Sequence, residues 1–160
     1  MAVFDVKHFD WRKIRTVQKL HRFLYAIGLG PVIGGIILLL TTTGRRSGQQ
    51  HITPLQYEQI GGKFYLGSAR GTQADWYRNI SAYGMVEVRV KNRRFRGEAE
   101  PVTDPIRIAD FLEIRLQRHP HMIGLLMQKA HNLPSRPNRE QLEALAASEA
   151  MVVITPLEDL

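Results

Sequence analysis

Between residues 36 and 101, apolar and polar positions alternate mostly with a period of two, while the stretches on either side repeat at helical spacing. Ile36 to Thr43 is a continuous apolar and β-branched run, and Gln49 to Ile60 follows it across a glycine-flanked turn. Gly61-Gly62 predicts a two-residue hairpin turn of the kind that needs positive φ, leading into a strand over Lys63 to Ala69. Further on, Val86, Val88 and Val90 alternate with Glu87, Arg89 and Lys91. After a turn at Lys91-Asn92, Phe95, Gly97 and Ala99 alternate with Arg94, Arg96 and Glu98. One face of this hairpin is therefore core and the other wet. Met151 to Thr155 predicts a last strand that can pair back into the sheet.

Helical spacing marks five stretches. Over residues 10–26, Ile14, Val17, Leu20 and Leu24 share one face, while Arg12, Arg15, Lys19 and Arg22 lie opposite. Asp75 to Ala82 predicts a short helix with Trp76, Tyr77 and Ile80 turned inward. Pro101 and Pro105 are expected to close the sheet region ahead of a helix over Ile106 to Gln117. Further helices are expected over Met122 to Ala130 and, after the Pro134 to Pro137 break, over Arg139 to Ala147. Five strands joined by hairpins, a crossover helix and a returning final strand imply an antiparallel sheet that curls toward closure and so protects its edges. The fold class read from this pattern is mainly β with peripheral helices (α+β), a small barrel with helices outside it.

With 160 residues, 44% hydrophobic and 23% charged, the chain suits a single domain with a real core. Within residues 1–160 the expected parts are an amphipathic helix and its connection (1–30), the barrel core with its loop (36–101), a helical region (104–147) and a closing strand (150–156). Zero cysteines exclude disulfides, cysteine ligation of metals and a cysteine nucleophile, and fit a reducing cytosol. The N-terminus lacks the pattern of a secretory signal. The apolar run from Phe23 to Leu40 is interrupted by Gly28, Gly30, Pro31, Gly34 and Gly35, which argues against a membrane-spanning helix. A cytoplasmic protein is expected, with membrane association as a second possibility.

The formal net charge of +7 raises three kinds of partner: nucleic acid, an anionic membrane surface or a polyanionic cofactor. Arg89, Lys91, Arg93, Arg94 and Arg96 alternate along a hairpin without interleaved exposed aromatics, so nucleic acid is not expected. The helix over residues 10–26, with Trp11, can either pack its stripe on its own domain or lie on anionic lipid, and the first is favoured.

The chemistry concentrates at Thr41-Thr42-Thr43-Gly44-Arg45-Arg46-Ser47-Gly48, which ends an apolar strand with hydroxyls, guanidiniums and two glycines. Glycine lets backbone N–H groups turn toward an anion, and arginine supplies forked, permanently charged donors. The spacing is not that of a P-loop, because no Gly-x-x-x-x-Gly-Lys-Ser/Thr is present and a strand pattern follows. The residues by themselves leave two readings open, a phosphate-holding loop and a basic solvated turn. His119, His121 and His131 lack an accompanying carboxylate at ligand spacing, and no metal is expected.

Thr41 to Gly48 occurs in order with Thr53-Pro54-Leu55, Gly67-Ser68-Ala69 and Asp75-Trp76-Tyr77-Arg78-Asn79-Ile80. This ordered set resembles the deazaflavin-dependent nitroreductase family over about Ile36 to Pro101, with a looser match through the final strand. The resemblance implies a split β-barrel of the flavin-binding type and coenzyme F-420, an 8-hydroxy-5-deazaflavin with a phosphate and a polyglutamate tail. Thr43, Gly44, Arg45, Arg46, Ser47 and Gly48 would then hold the phosphate and tail. Thr53, Pro54 and Leu55 would line the ring, with Gly67, Ser68, Ala69, Arg70 and Gly71 bordering it. Trp76, Tyr77 and Asn79 match a family signature, read as an aromatic anchor and an amide that fixes the loop.

His51 stands where family members commonly carry a basic residue, which implies a weaker or pH-dependent phosphate grip. The late helical stretch of His119, Pro120, His121, Met122 and Leu125 to Met127 replaces substrate-touching tyrosines of better-studied members, so the acceptor does not carry over. The implied reaction is hydride transfer to an electron-poor acceptor such as a quinone, an activated alkene or a nitro compound. FMN in the same barrel is the alternative cofactor, and a non-enzymatic basic-surface binder is the alternative of another class. Catalytic residues stay unassigned, with Tyr57, Tyr65, His51 and Ser68 candidates for the proton donor by type alone. A homodimer is the expected assembly.

Overall fold

A computed structural model describes residues 37–160, so the predicted helix over residues 10–26 and most of the Phe23 to Leu40 run lie outside the described residues. The end of that run, from Ile37, belongs to strand β1 (Ile37–Thr43). Six more strands follow: β2 (Gln50–Gln56), β3 (Glu58–Ile60), β4 (Lys63–Ser68), β5 (Met85–Val90), β6 (Arg93–Val102) and β7 (Ala150–Asp159). Helices α1 (Asp75–Ala82), α2 (Pro105–Arg118), α3 (Pro120–His131) and α4 (Arg139–Ala146) complete the described part.

The strands form one antiparallel sheet in the order β2-β1-β5-β6-β7-β4-β3. Its two edge strands are consecutive in the chain and Tyr57 alone separates them, so the sheet must curl until its edges meet. The single strand expected over Gln49 to Ile60 is thus two strands. Its first part pairs with β1 and its last with β4, and Tyr57 turns the corner between them. Periodicity did not reveal this because alternation continues through the corner: Leu55 and Tyr57 both pack against the barrel interior.

Inward side chains fill the barrel. Leu38, Leu40, Phe64, Leu66, Val86, Val88, Val90, Phe95, Val152 and Ile154 form one cluster, with the Phe64 and Phe95 rings 5.1 Å apart at its heart. Helix α1 closes this cluster with Tyr77 and Ile80, so it plugs the barrel and does not lie outside it. A second cluster forms where α2, α3 and α4 cover the outer face of β4, β6 and β7, with Ile108, Phe111, Ile123, Met127 and Leu142 against Met151 and Val153. Strand β7 serves both cores, which explains why Ala150 to Ile154 reads as an unbroken apolar run.

The helices start where the sequence predicts, give or take two residues. Asp104 caps α2 by accepting the Ile106 N–H at 2.9 Å, with Pro105 at the first helical position. Asn138 and Gln141 form a reciprocal capping box on α4. The Gly61-Gly62 turn has the positive φ expected of it, 57° and 78°.

Two boundaries need correction. Pro101 does not end the sheet but pairs with Val152 inside β6, where the strand has run past its β5 partner and keeps a ladder on one side only. The closing strand extends to Asp159, and Arg93–Asp159 and Arg96–Glu158 ion pairs support its solvent-exposed end.

Gly97 lies at a register shift in β6, where an added Cβ would come within 2.7 Å of the Ile154 Cγ2 and 3.1 Å of the Thr155 carbonyl. Gly97→Ala is expected to cost about 1–3 kcal/mol by overpacking a stiff β-branched neighbour, measured as a lower urea midpoint at unchanged slope.

Candidate functional site

Residues 44–49 join β1 to β2 in a compact turn. The Gly44 N–H donates to the Gln49 carbonyl at 2.7 Å, the Gly48 N–H to the Gly44 carbonyl at 2.8 Å, and the Gln49 N–H to Ser47 Oγ at 3.2 Å. A Cβ at Gly44 would lie 2.8 Å from both His51 Nε2 and Ser47 Oγ, so glycine is needed for the turn to close over His51. Gly48 has φ of 71°, in the left-handed region.

Asn79 ties this turn to α1. Its carbonyl oxygen accepts the Arg45 N–H at 3.2 Å and the Arg45 guanidinium at 2.9 Å, and its amide donates to the buried Thr42 hydroxyl at 3.4 Å. Arg45 also meets Asp75 at 3.2 Å. The amide expected to fix the loop is therefore found doing so. The two arginines, read as equivalent in sequence, differ. Arg45 is folded back onto α1, whereas Arg46 and Ser47 face solvent, and their N–H groups bond to no other described residue of the turn. The donors left for an anion are those two N–H groups, the Arg46 guanidinium and the Ser47 hydroxyl, whose oxygen already accepts from Gln49.

Strand alternation sorts the remaining predicted residues onto two faces. Thr53 pairs with Leu40 and Leu55 with Leu38, so Thr53 and Leu55 point into the barrel, while Pro54, opposite Leu39, points outward. In β4, Ser68 is buried and donates to the Gly71 carbonyl at 2.6 Å. Gly67 and Ala69 are exposed on the opposite face, and a Cβ on Gly67 would come 3.7 Å from the Phe111 ring. The expected ring-lining set therefore cannot act from one face: Pro54, Gly67 and Ala69 share the outer face, and Thr53, Leu55 and Ser68 support it from behind. Arg70 is exposed, and Gly71 at φ 56° opens a short helical turn that leads into α1. Tyr77 is buried in the barrel plug, and Trp76 packs against it edge-on with centroids 6.2 Å apart, so both aromatics act as anchors.

The family model described as F420H(2)-dependent quinone reductase matches residues 13–122. The chain belongs to this family. A curated F420H(2)-dependent quinone reductase of Mycobacterium tuberculosis is 35% identical over 68 residues, which are 41% of this chain and 46% of that protein. The chain thus spans about half the length of the curated relatives it matches. Among solved structures, a candidate pyridoxamine 5′-phosphate oxidase of Listeria innocua aligns with TM-score 0.55 at 13% identity, covering 88% of this chain and 96% of that one. A structure described as a domain-swapped dimer aligns with TM-score 0.53 at 18% identity, covering 84% and 95%. These likenesses establish the split-barrel fold that the motifs imply.

Sequence reading missed a group of charges at the barrel corner. Glu58, first residue of β3, is buried; His119 Nε2 lies 2.8 Å from its Oε1 and an Arg118 guanidinium nitrogen 3.1 Å from its Oε2. Arg115 Nε stands 3.9 Å from Oε1, and a terminal nitrogen of the same guanidinium donates to Gln56 at 3.4 Å. Burial lowers the Arg115 guanidinium from its ordinary value, and Glu58 partly offsets this. Tyr57 is raised, first by burial and then by the neighbouring carboxylate. The sequence separation of about 60 residues between Glu58 and these cations hid the cluster.

Asn79→Ala is expected to destabilise the fold by about 1–3 kcal/mol, because the buried Thr42 hydroxyl and the Arg45 N–H lose their shared partner. Faster hydrogen exchange at Arg45, with α4 unaffected, would check that the loss is local.

Proposed function

We propose that this chain is a quinone reductase that takes hydride from reduced coenzyme F-420. The single observation that carries the reading is the family match over residues 13–122. The loop chemistry fits it: an anion meeting Arg46, the Ser47 hydroxyl and two unpaired N–H groups finds charge-assisted and backbone donors together. The family description favours the deazaflavin over FMN and a quinone over the other acceptors.

The coenzyme, when bound, supplies a hydride from its reduced ring; the protein supplies grip, orientation and exclusion of water. In this reading Arg46 and Ser47 hold the phosphate, Arg45 and Asn79 hold the turn in shape, and Gly67 and Ala69 let a flat ring approach the strand. Quinone plus hydride plus one proton gives the hydroquinone, so the site must also deliver a proton. Ser68 is a poor donor, since its hydroxyl is buried and committed to the Gly71 carbonyl. The domain-swapped dimer among the structural likenesses supports the expectation of a homodimer. Among the described residues no helix is long and apolar enough to cross a membrane, and peripheral contact through residues 10–26 remains a proposal from sequence.

Titration of the protein with oxidised coenzyme F-420, followed by fluorescence, tests the reading, with saturable binding expected and FMN binding more weakly. Arg46→Ala should raise the Kd roughly 10- to 100-fold, since charge-assisted bonds contribute about 1.5–3 kcal/mol each. Glu140→Ala, on α4, should leave the Kd unchanged. Absence of deazaflavin binding by the parent protein would refute the assignment.

A further inference from the structure

The cluster at the barrel corner contains a carboxylate–imidazole pair that the coenzyme loop does not use. Glu58 pairs with Tyr65 across the β3–β4 ladder, and Gly67 lies two residues beyond Tyr65, so Glu58, Tyr65 and Gly67 share the outer face of the sheet. Alternation through the corner puts Pro54 and Gln56 on the same face. His119 reaches this face from the junction of α2 and α3, where its own N–H caps α2 on the Arg115 carbonyl and Pro120 starts α3. The imidazole therefore hangs from a backbone fixed on both sides and rests against Glu58, at the corner end of the sheet face that also carries Pro54, Gln56 and Gly67.

We propose that His119, oriented by Glu58, is the acid that protonates the reduced quinone. The proposal rests on the quinone reductase reading above. Contact between Nε2 and Glu58 Oε1 at 2.8 Å assigns the Nε2–H to the carboxylate and leaves Nδ1 as the nitrogen that exchanges a proton with a ligand. Glu58 is itself fixed by Arg118, which also donates to the Gln59 carbonyl at 3.0 Å, so the carboxylate cannot turn away from the imidazole. The charged groups facing His119 are Glu58 from β3 and Arg115 and Arg118 from α2, with Tyr57 behind Glu58 at the corner. The imidazole is nearly half exposed, at 44%, so it can recharge from water after each turnover.

The step balances. The reduced coenzyme, when bound, would supply two electrons and one hydrogen as hydride, taking the quinone to the hydroquinone monoanion; the bond from Nδ1 to its proton breaks as the new O–H bond forms, giving the hydroquinone. Neutral imidazole then takes a proton from water. His119 is the catalytic residue in this scheme and Glu58 a positioning residue.

The test uses the full chain with reduced coenzyme F-420 and a soluble benzoquinone. Expected for His119→Ala is a loss of kcat on the order of 10- to 100-fold, within the range that positioned acids supply, with the coenzyme Kd unchanged. The parent should lose activity as pH rises and the acid discharges; that limb should vanish in His119→Ala and return with added imidazole. Glu58→Gln should move the limb without removing it, a response that a merely structural role would not give. Turnover within twofold of the parent in His119→Ala, with the alkaline limb intact, overturns the proposal while leaving the reductase reading standing. No coenzyme-dependent turnover in the parent overturns both.

Discussion

The corner at Tyr57 is the constraint on which the rest of this structure depends. A sheet of seven strands whose two edges are joined through a single residue cannot stay open, because consecutive residues of one chain must lie at both edges at once. Closure then fixes which side chains are interior, and the interior is filled by Phe64, Phe95 and the aliphatic residues of six strands. It also leaves β2 and β4 approaching each other across the seam rather than through a ladder. Of the residues tied to cofactor binding by resemblance, Pro54 on β2 and Gly67 on β4 lie on the two strands that meet at this seam.

Burial at such a corner would be costly if Glu58 were unpaired, and its pairing ties the end of α2 to the barrel, beside the hydrophobic cluster that seats the helical layer. Removing one partner from a buried ion pair typically costs about 3–5 kcal/mol. Here one carboxylate is shared by three cationic or ionisable side chains from the end of α2 and the residue after it. The same contacts that tie down the end of α2 hold the His119 imidazole against Glu58. At the other end of the barrel Asn79 plays a comparable part, since one buried amide joins β1, the turn and α1.

Local signals made most of the fold legible in the sequence. Val86 to Ala99 announced a hairpin through strict alternation, Gly61-Gly62 announced its turn type, and Asp104-Pro105 announced the start of α2, each because the determining physics acts within a few residues. What stayed hidden was set by distant contacts. Arg45 and Arg46 are identical in type, and only contacts to Asn79 and Asp75, 34 and 30 residues away, separate their roles. Pro54 and Leu55 look like one ring-lining motif until pairing with β1 puts them on opposite faces. The ordered motifs pointed to the correct family because their spacing reflects the barrel, while the Glu58 cluster has no local signature at all.

The proposed function requires the coenzyme to run from the 44–48 turn along the outer face that carries Pro54, Gln56 and Gly67. Hydrogen–deuterium exchange with and without coenzyme F-420 measures this directly. The account predicts new protection at the Arg46 and Ser47 amides and across Gln56 and Gly67 to Ala69, with α4 and the Leu157 end of β7 unchanged. Protection confined to those distant segments, with the turn still exchanging freely in the saturated complex, would contradict it.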